Sequence, residues 1–97
     1  MDRGRFLKVA EFRFDPNKSA WLRRERGLGF EEIIHLFGKD EGLIDVYPHP
    51  SPNYHHQFIC ELVVEGYVYI VPFIVDGDKV FLKTLFPSRK ATKRRRS

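Results

Sequence analysis

About half-way along this chain the hydrophobic period changes, and few folds accommodate the change. Phe30, Ile33, Ile34 and Phe37 recur at i, i+3, i+4 and i+7, the stripe of an amphipathic helix. Beyond residue 58 the apolar residues come instead as runs, 58–64, 67–75 and 80–86, separated by Glu65-Gly66 and by Asp76-Gly77-Asp78. Glycine supplies the positive φ of a tight hairpin turn, so these runs predict antiparallel strands joined by short loops. Pro72 has no N–H for a ladder, which predicts a bulge or an unpaired side in the middle strand. Helices first and hairpins after give an α+β domain.

The amino-terminal half can be read element by element. Glu11-Phe12-Arg13-Phe14 alternates polar and apolar, as a half-buried strand does. Asp15 can cap a helix and Pro16 suits its first position, so a helix is expected over Pro16–Arg26, ending at Gly27. Ala20, Trp21 and Leu22 are expected toward the core, with Lys18, Arg23, Arg24 and Arg26 making the rest basic. Only Gly27-Leu28-Gly29 separates this helix from the next, which implies a tight helical hairpin or corner. Glu31 and Glu32 favour the start of the second helix through its dipole, and Gly38 is expected to close it. A short strand over 43–47 and a proline-punctuated loop over 48–56 lead into the meander. The expectation is a single domain, 1–97: a strand, a two-helix hairpin, then a mainly antiparallel sheet ending near Phe86. A basic segment, 88–97, follows as a partly disordered tail. Ninety-seven residues, 42% hydrophobic and 14% aromatic, supply one core and not two.

Charge is distributed unevenly. The last nineteen residues hold eight of the 17 Lys/Arg and none of the 13 carboxylates, so an acidic body delivers a strongly basic end. Clustered Lys/Arg favour a polyanion, most simply a phosphate backbone; a solvated tail is the plain alternative. The single cysteine, Cys60, excludes an internal disulfide framework, suits a reducing cytoplasm and alternates with Phe58 and Leu62 as a core residue would. No export signal is visible at the amino terminus, and the run 67–75 is too short to span a bilayer, so a cytoplasmic, non-membrane protein is expected.

Signatures of metal and cofactor chemistry are absent: no CxxC pair, no HExxH, no GxSxG and no glycine-rich strand-to-helix loop. No cofactor is expected. His49, His55 and His56 crowd one loop, where one imidazole could serve as a general acid or base; a metal site is not expected there. RNA cleavage needs little more. A 2′-hydroxyl must lose a proton, the phosphorane needs positive charge, and the leaving 5′-oxygen must gain a proton. His56, Lys83 and Arg89 are the candidates for these roles, with Gln57 and Tyr54 beside His56. Lys83 projects from the face opposite Leu82, and a surface charge that protects a sheet edge is its ordinary alternative. Candidate RNA contacts are Lys18, Arg23, Arg26, Lys90, Lys93, Arg94, Arg95 and Arg96.

Two stretches resemble a known family. Phe14-Asp15-Pro16-Asn17-Lys18, continued by Arg26-Gly27-Leu28-Gly29-Phe30-Glu31-Glu32, is similar to the opening of BrnT-type toxins. Ser88-Arg89-Lys90-Ala91-Thr92 resembles their Ser/Ala-Arg-Lys-Ala ending, and the similarity runs over 11–95. The resemblance implies a RelE-like fold and an endoribonuclease toxin neutralised by a ribbon-helix-helix antitoxin. An acidic antitoxin segment would cover Lys18, Arg23, Arg26, Arg89 and Lys90. Where the family carries arginines, near the meander start and in the last strand, this chain has His56-Gln57 and Lys83-Thr84, which moves the expected chemistry onto His56 and Lys83. Two other readings stand beside it: a non-catalytic RNA- or ribosome-binding protein, and a protein-interaction module with a basic anchor.

Overall fold

The structure, a computed structural model, describes Leu7, residues 10–39 and residues 42–96; residues 1–6, 8–9, 40–41 and 97 and the side chain of Arg96 lie outside the described residues. Strand β1 (Glu11–Arg13) leads into helices α1 (Pro16–Arg26) and α2 (Phe30–Lys39). Strands β2 (Leu43–Pro48), β3 (Phe58–Val64), β4 (Tyr67–Asp76), β5 (Lys79–Leu82) and β6 (Phe86–Pro87) follow, and helix α3 (Arg89–Arg96) closes the described chain. The strands form one sheet in the order β1-β5-β4-β3-β2, with β6 beside β4. All pairings are antiparallel except β1 with β5. The fold is α+β, as the change of period implies.

Local signals account for most boundaries. Asp15 accepts the Asn17 N–H at 2.9 Å, Pro16 opens α1, and Gly27 ends it at φ 74 with its N–H on the Arg23 carbonyl. Glu65 and Gly66 both take positive φ between the paired Val64 and Tyr67, a type I′ hairpin. Gly38 does not close α2, which runs on through Lys39. Opposite Pro72 the last strand breaks. Phe73 faces Leu82 but Ile70 faces Phe86, so one extra residue is accommodated within 83–85. The Pro72 carbonyl accepts the Lys83 N–H at 2.9 Å, so the edge of Pro72 that lacks an N–H faces this bulge.

Even-numbered residues of β3 and odd-numbered residues of β4 point to one face, where α1 and α2 lie. Phe58, Cys60, Leu62, Val71, Phe73, Val80 and Leu82 meet Leu22, Leu28, Phe30, Ile33 and Phe37 there. The burial of α1 differs from expectation: Ser19 and Leu22 face inward, while Ala20 and Trp21 are exposed. The cause is polar. Ser19 Oγ accepts the Phe30 N–H at 2.9 Å and donates to Glu31, so α1 caps α2 across the hairpin. Gly29 permits this approach, since a Cβ there would stand 2.7 Å from Ser19 Oγ.

The opposite face carries Glu11, Arg13, Lys79, Phe81, Ile70, Ile74, Ile59 and Glu61 by the same alternation. Helix α3 covers one end of it. The basic run that resembles a solvated tail in sequence is thus a docked helix.

Candidate nucleic-acid interface

Helix α3 starts at a built cap. Ser88 Oγ accepts the Ala91 N–H at 3.1 Å, and the Ser88 carbonyl accepts the Thr92 N–H at 3.0 Å and hydroxyl at 2.7 Å. Ala91 and Thr92 are buried, and Thr92 Oγ1 accepts the Val68 N–H of β4 at 2.9 Å. The Ser88-Arg89-Lys90-Ala91 stretch therefore has a structural meaning: Ser88 caps, Ala91 packs, and Arg89 and Lys90 are left exposed on the first turn. Lys93 and Arg95 are exposed as well. Arg94 turns back to Glu61 at 3.2 Å. Glu61 is only 5% exposed and also accepts the Tyr47 hydroxyl, so one buried carboxylate ties α3 to β3 and β2. Burial, then this carboxylate, push the Tyr47 phenol well above its ordinary range.

The β1–β5 side of this sheet face is open. Arg13, Ile74, Asp76, Lys79, Phe81 and Lys83 line a concavity of about 450 Å³. Lys79 and Phe81 alternate on one side of β5, and Lys83 continues that alternation into the bulge. Phe81 is 48% exposed and Lys83 Nζ lies 6.0 Å from its ring centroid. Arg13 is paired with Glu11, whereas neither Lys79 nor Lys83 makes an ion pair among the described residues.

His56 stands at the other side of β4. The loop before β3 is an ordered turn: Ser51 caps a single 3₁₀ turn, Pro52–Tyr54, and the His49 N–H meets the Gln57 carbonyl at 2.9 Å. His49 Nδ1 accepts the Ser51 N–H at 3.1 Å and its ring lies against Tyr54, while the His55 and His56 rings meet edge-on at 5.5 Å. The three imidazoles thus do not converge, and among the described residues no group of three His, Cys, Asp or Glu is arranged to hold a metal. Lys83 is opposite Pro72, which pairs with Ile59, so β3, the strand that follows the turn bearing His56, is two strand spacings, about 10 Å, from β5. No hydrogen bond, ion pair or ring contact among the described residues joins His56, Lys83 and Arg89.

The cations of α1 divide. Arg23 is held by Glu32 and Glu31 across the hairpin, at 2.8 Å from Glu31 and 3.0 Å from each Glu32 oxygen. Its guanidinium pKa is raised by Glu32 and then Glu31; the carboxyl of Glu31 is lowered chiefly by Ser19 and that of Glu32 chiefly by Arg23. Arg23 is thus a clasp between helices. Lys18 and Arg26 flank the exposed Trp21, at 4.9 and 5.7 Å from the ring centroid. Because α1 and α3 lie on opposite faces of the sheet, Lys18, Arg23, Arg26, Arg89 and Lys90 do not make the single basic surface that the sequence suggests.

Sequence reasoning passed over Arg13, Lys79 and Phe81. The alternation of Lys79, Phe81 and Lys83 was a usable signal, but Arg13 joins them only through the parallel β1–β5 pairing. No helix among the described residues is long and apolar enough to cross a membrane. Comparison with protein-family models, with curated proteins and with solved structures finds no match to this chain.

Proposed function

We propose that this chain is a metal-independent endoribonuclease of the toxin type, acting in the bacterial cytoplasm and neutralised by a ribbon-helix-helix antitoxin. The observation that carries the reading is the sheet face opposite the helical hairpin. At one end it presents Lys79 and Lys83 without ion-pair partners among the described residues, and at the other the exposed Arg89, Lys90, Lys93 and Arg95 of a docked helix. An RNA strand following this face would meet clustered cations at both ends. The likeness of 14–32 and 88–92 to BrnT-type toxins supports the same reading.

In this reading a base removes the proton of a 2′-hydroxyl, and the freed oxygen attacks the adjacent phosphorus. Arg89 holds two phosphoryl oxygens as the phosphorane forms, while Lys83, at the other end of the face, adds positive charge along the bound strand. The bond to the 5′-oxygen breaks as that oxygen gains a proton, leaving a 2′,3′-cyclic phosphate and a 5′-hydroxyl. His56 is the candidate for proton transfer. The absence of any contact among His56, Lys83 and Arg89 favours a second reading, RNA binding without cleavage. Incubating purified protein with RNA in EDTA separates them. Cyclic-phosphate ends that diminish in His56→Ala and Lys83→Ala support the enzyme; salt-sensitive binding with intact RNA supports the binder. Recovery of the protein alone from co-expression with the adjacent gene product would count against the antitoxin partner.

A further inference from the structure

We propose that the concavity lined by Arg13, Ile74, Asp76, Lys79, Phe81 and Lys83 is a nucleotide subsite for single-stranded RNA. One unpaired base stacks on Phe81 and the flanking phosphates lie on Lys79 and Lys83. The proposal rests on the RNA-directed reading above and adds to it a site and a substrate class.

The argument begins with alternation. Positions 79, 81 and 83 follow one face of β5 and its bulge at intervals of about 7 Å, in the order cation, ring, cation. Nearly half of the Phe81 surface faces solvent although the helical face of the same strand is fully buried at Val80 and Leu82. A half-exposed ring between two cations that lack ion-pair partners among the described residues has the form of a base-stacking platform flanked by phosphate contacts. A duplex keeps its bases stacked inside and offers the ring nothing, so the subsite selects unpaired RNA. Asp76 fits a nucleotide better than an acidic peptide. Its carboxylate accepts hydrogen bonds from a base amine or a 2′-hydroxyl, donors that the side chains of an acidic peptide do not offer. Arg13, engaged with Glu11, closes the groove on the β1 side.

The test is the binding of a short unstructured oligoribonucleotide carrying 2-aminopurine, with a hairpin duplex RNA as control. Base stacking on the wild-type protein is expected to quench the 2-aminopurine fluorescence. Phe81→Leu, at a half-exposed position, is expected to weaken single-strand binding about ten-fold to a hundred-fold and leave duplex binding unchanged. Phe81→Tyr is expected to restore both affinity and quenching. Lys79→Gln and Lys83→Gln are each expected to flatten the salt slope by about 0.7. Full single-strand affinity and quenching in Phe81→Leu would overturn the subsite. If Arg89→Ala and Lys90→Ala still weakened binding in that case, the RNA-directed function would survive without it. A wild-type protein that binds neither RNA would overturn both. A poly-glutamate peptide that displaces the RNA and whose binding falls in Lys79→Gln but not in Phe81→Leu would assign the groove to an acidic peptide and overturn the proposal.

Discussion

Replacing Ser19 by alanine is the sharpest test of how the two helices are held. The hydroxyl is fully buried, accepts the Phe30 N–H at 2.9 Å and donates to Glu31. Phe30 is itself fully buried, so in Ser19→Ala its amide loses its partner where water does not reach. A lost helix cap costs about 1 kcal/mol and a stranded buried donor about 1–3 kcal/mol; both describe the same bond, so they are not added. We expect a loss of about 2 kcal/mol, or a fall in melting temperature of roughly 8–16 °C for a domain of this size. Urea unfolding followed by circular dichroism at pH 7 measures it, with an unchanged m-value showing that compactness is preserved. Glu31→Gln keeps an acceptor for the hydroxyl and should cost less than about 1 kcal/mol, because its partner Arg23 is half exposed. A change below about 0.5 kcal/mol in Ser19→Ala would refute the reasoning, since the Phe30 amide would then be satisfied in another way.

The same junction predicts acid sensitivity. Glu31 and Glu32 have folded pKa values below the ordinary 4.5, so their contribution is present above that value and is lost as pH falls through the lowered ones. Urea midpoints should decline below about pH 4.5, and less steeply in Arg23→Ala, where the cause of the Glu32 shift is removed; equal slopes would contradict this. Arg23→Ala should lower the melting temperature yet leave the salt slope of RNA binding unchanged, whereas Lys90→Ala should reduce that slope by about 0.7; a reduced slope in Arg23→Ala would return that residue to the RNA contacts. Glu61→Ala should cost about 1–3 kcal/mol and speed amide exchange at 91–95, with Glu61→Gln milder, because both Tyr47 and Arg94 use that carboxylate; unaltered exchange would mean that α3 is held without it.

What could be read from the sequence was what local chemistry decides. Asp15, Pro16 and Gly27 fix the ends of α1 within one turn of each end, and Glu65-Gly66 fixes a hairpin by its own φ values. Pro72 announced an interrupted ladder on one side of the middle strand because a missing donor cannot be repaired from elsewhere, although the extra residue itself lies in 83–85. What escaped depends on distant partners. Trp21 was expected inward on hydrophobicity, but the buried side of α1 is set by Ser19 reaching Phe30, a polar contact with no periodic signature. The helical start at Ser88 was masked by the charge that follows it, although serine three residues before the buried Ala91 is a capping pattern. The groove escaped because Arg13 and Lys83, seventy positions apart, become neighbours only through a parallel strand pairing.

The central claim concerns Arg89, exposed on the first turn of α3 with a guanidinium able to hold two phosphate oxygens at once. The direct measurement is the single-turnover cleavage rate of a structured RNA in EDTA, for wild type and for Arg89→Ala of matched stability. The account predicts cleavage by the wild type and a fall of about 10²–10³ in the variant, the scale of losing one preorganised donor to a developing oxyanion. Undiminished cleavage by Arg89→Ala would contradict the assignment of that residue, and intact RNA with the wild type, with or without ribosomes, would contradict the enzyme itself.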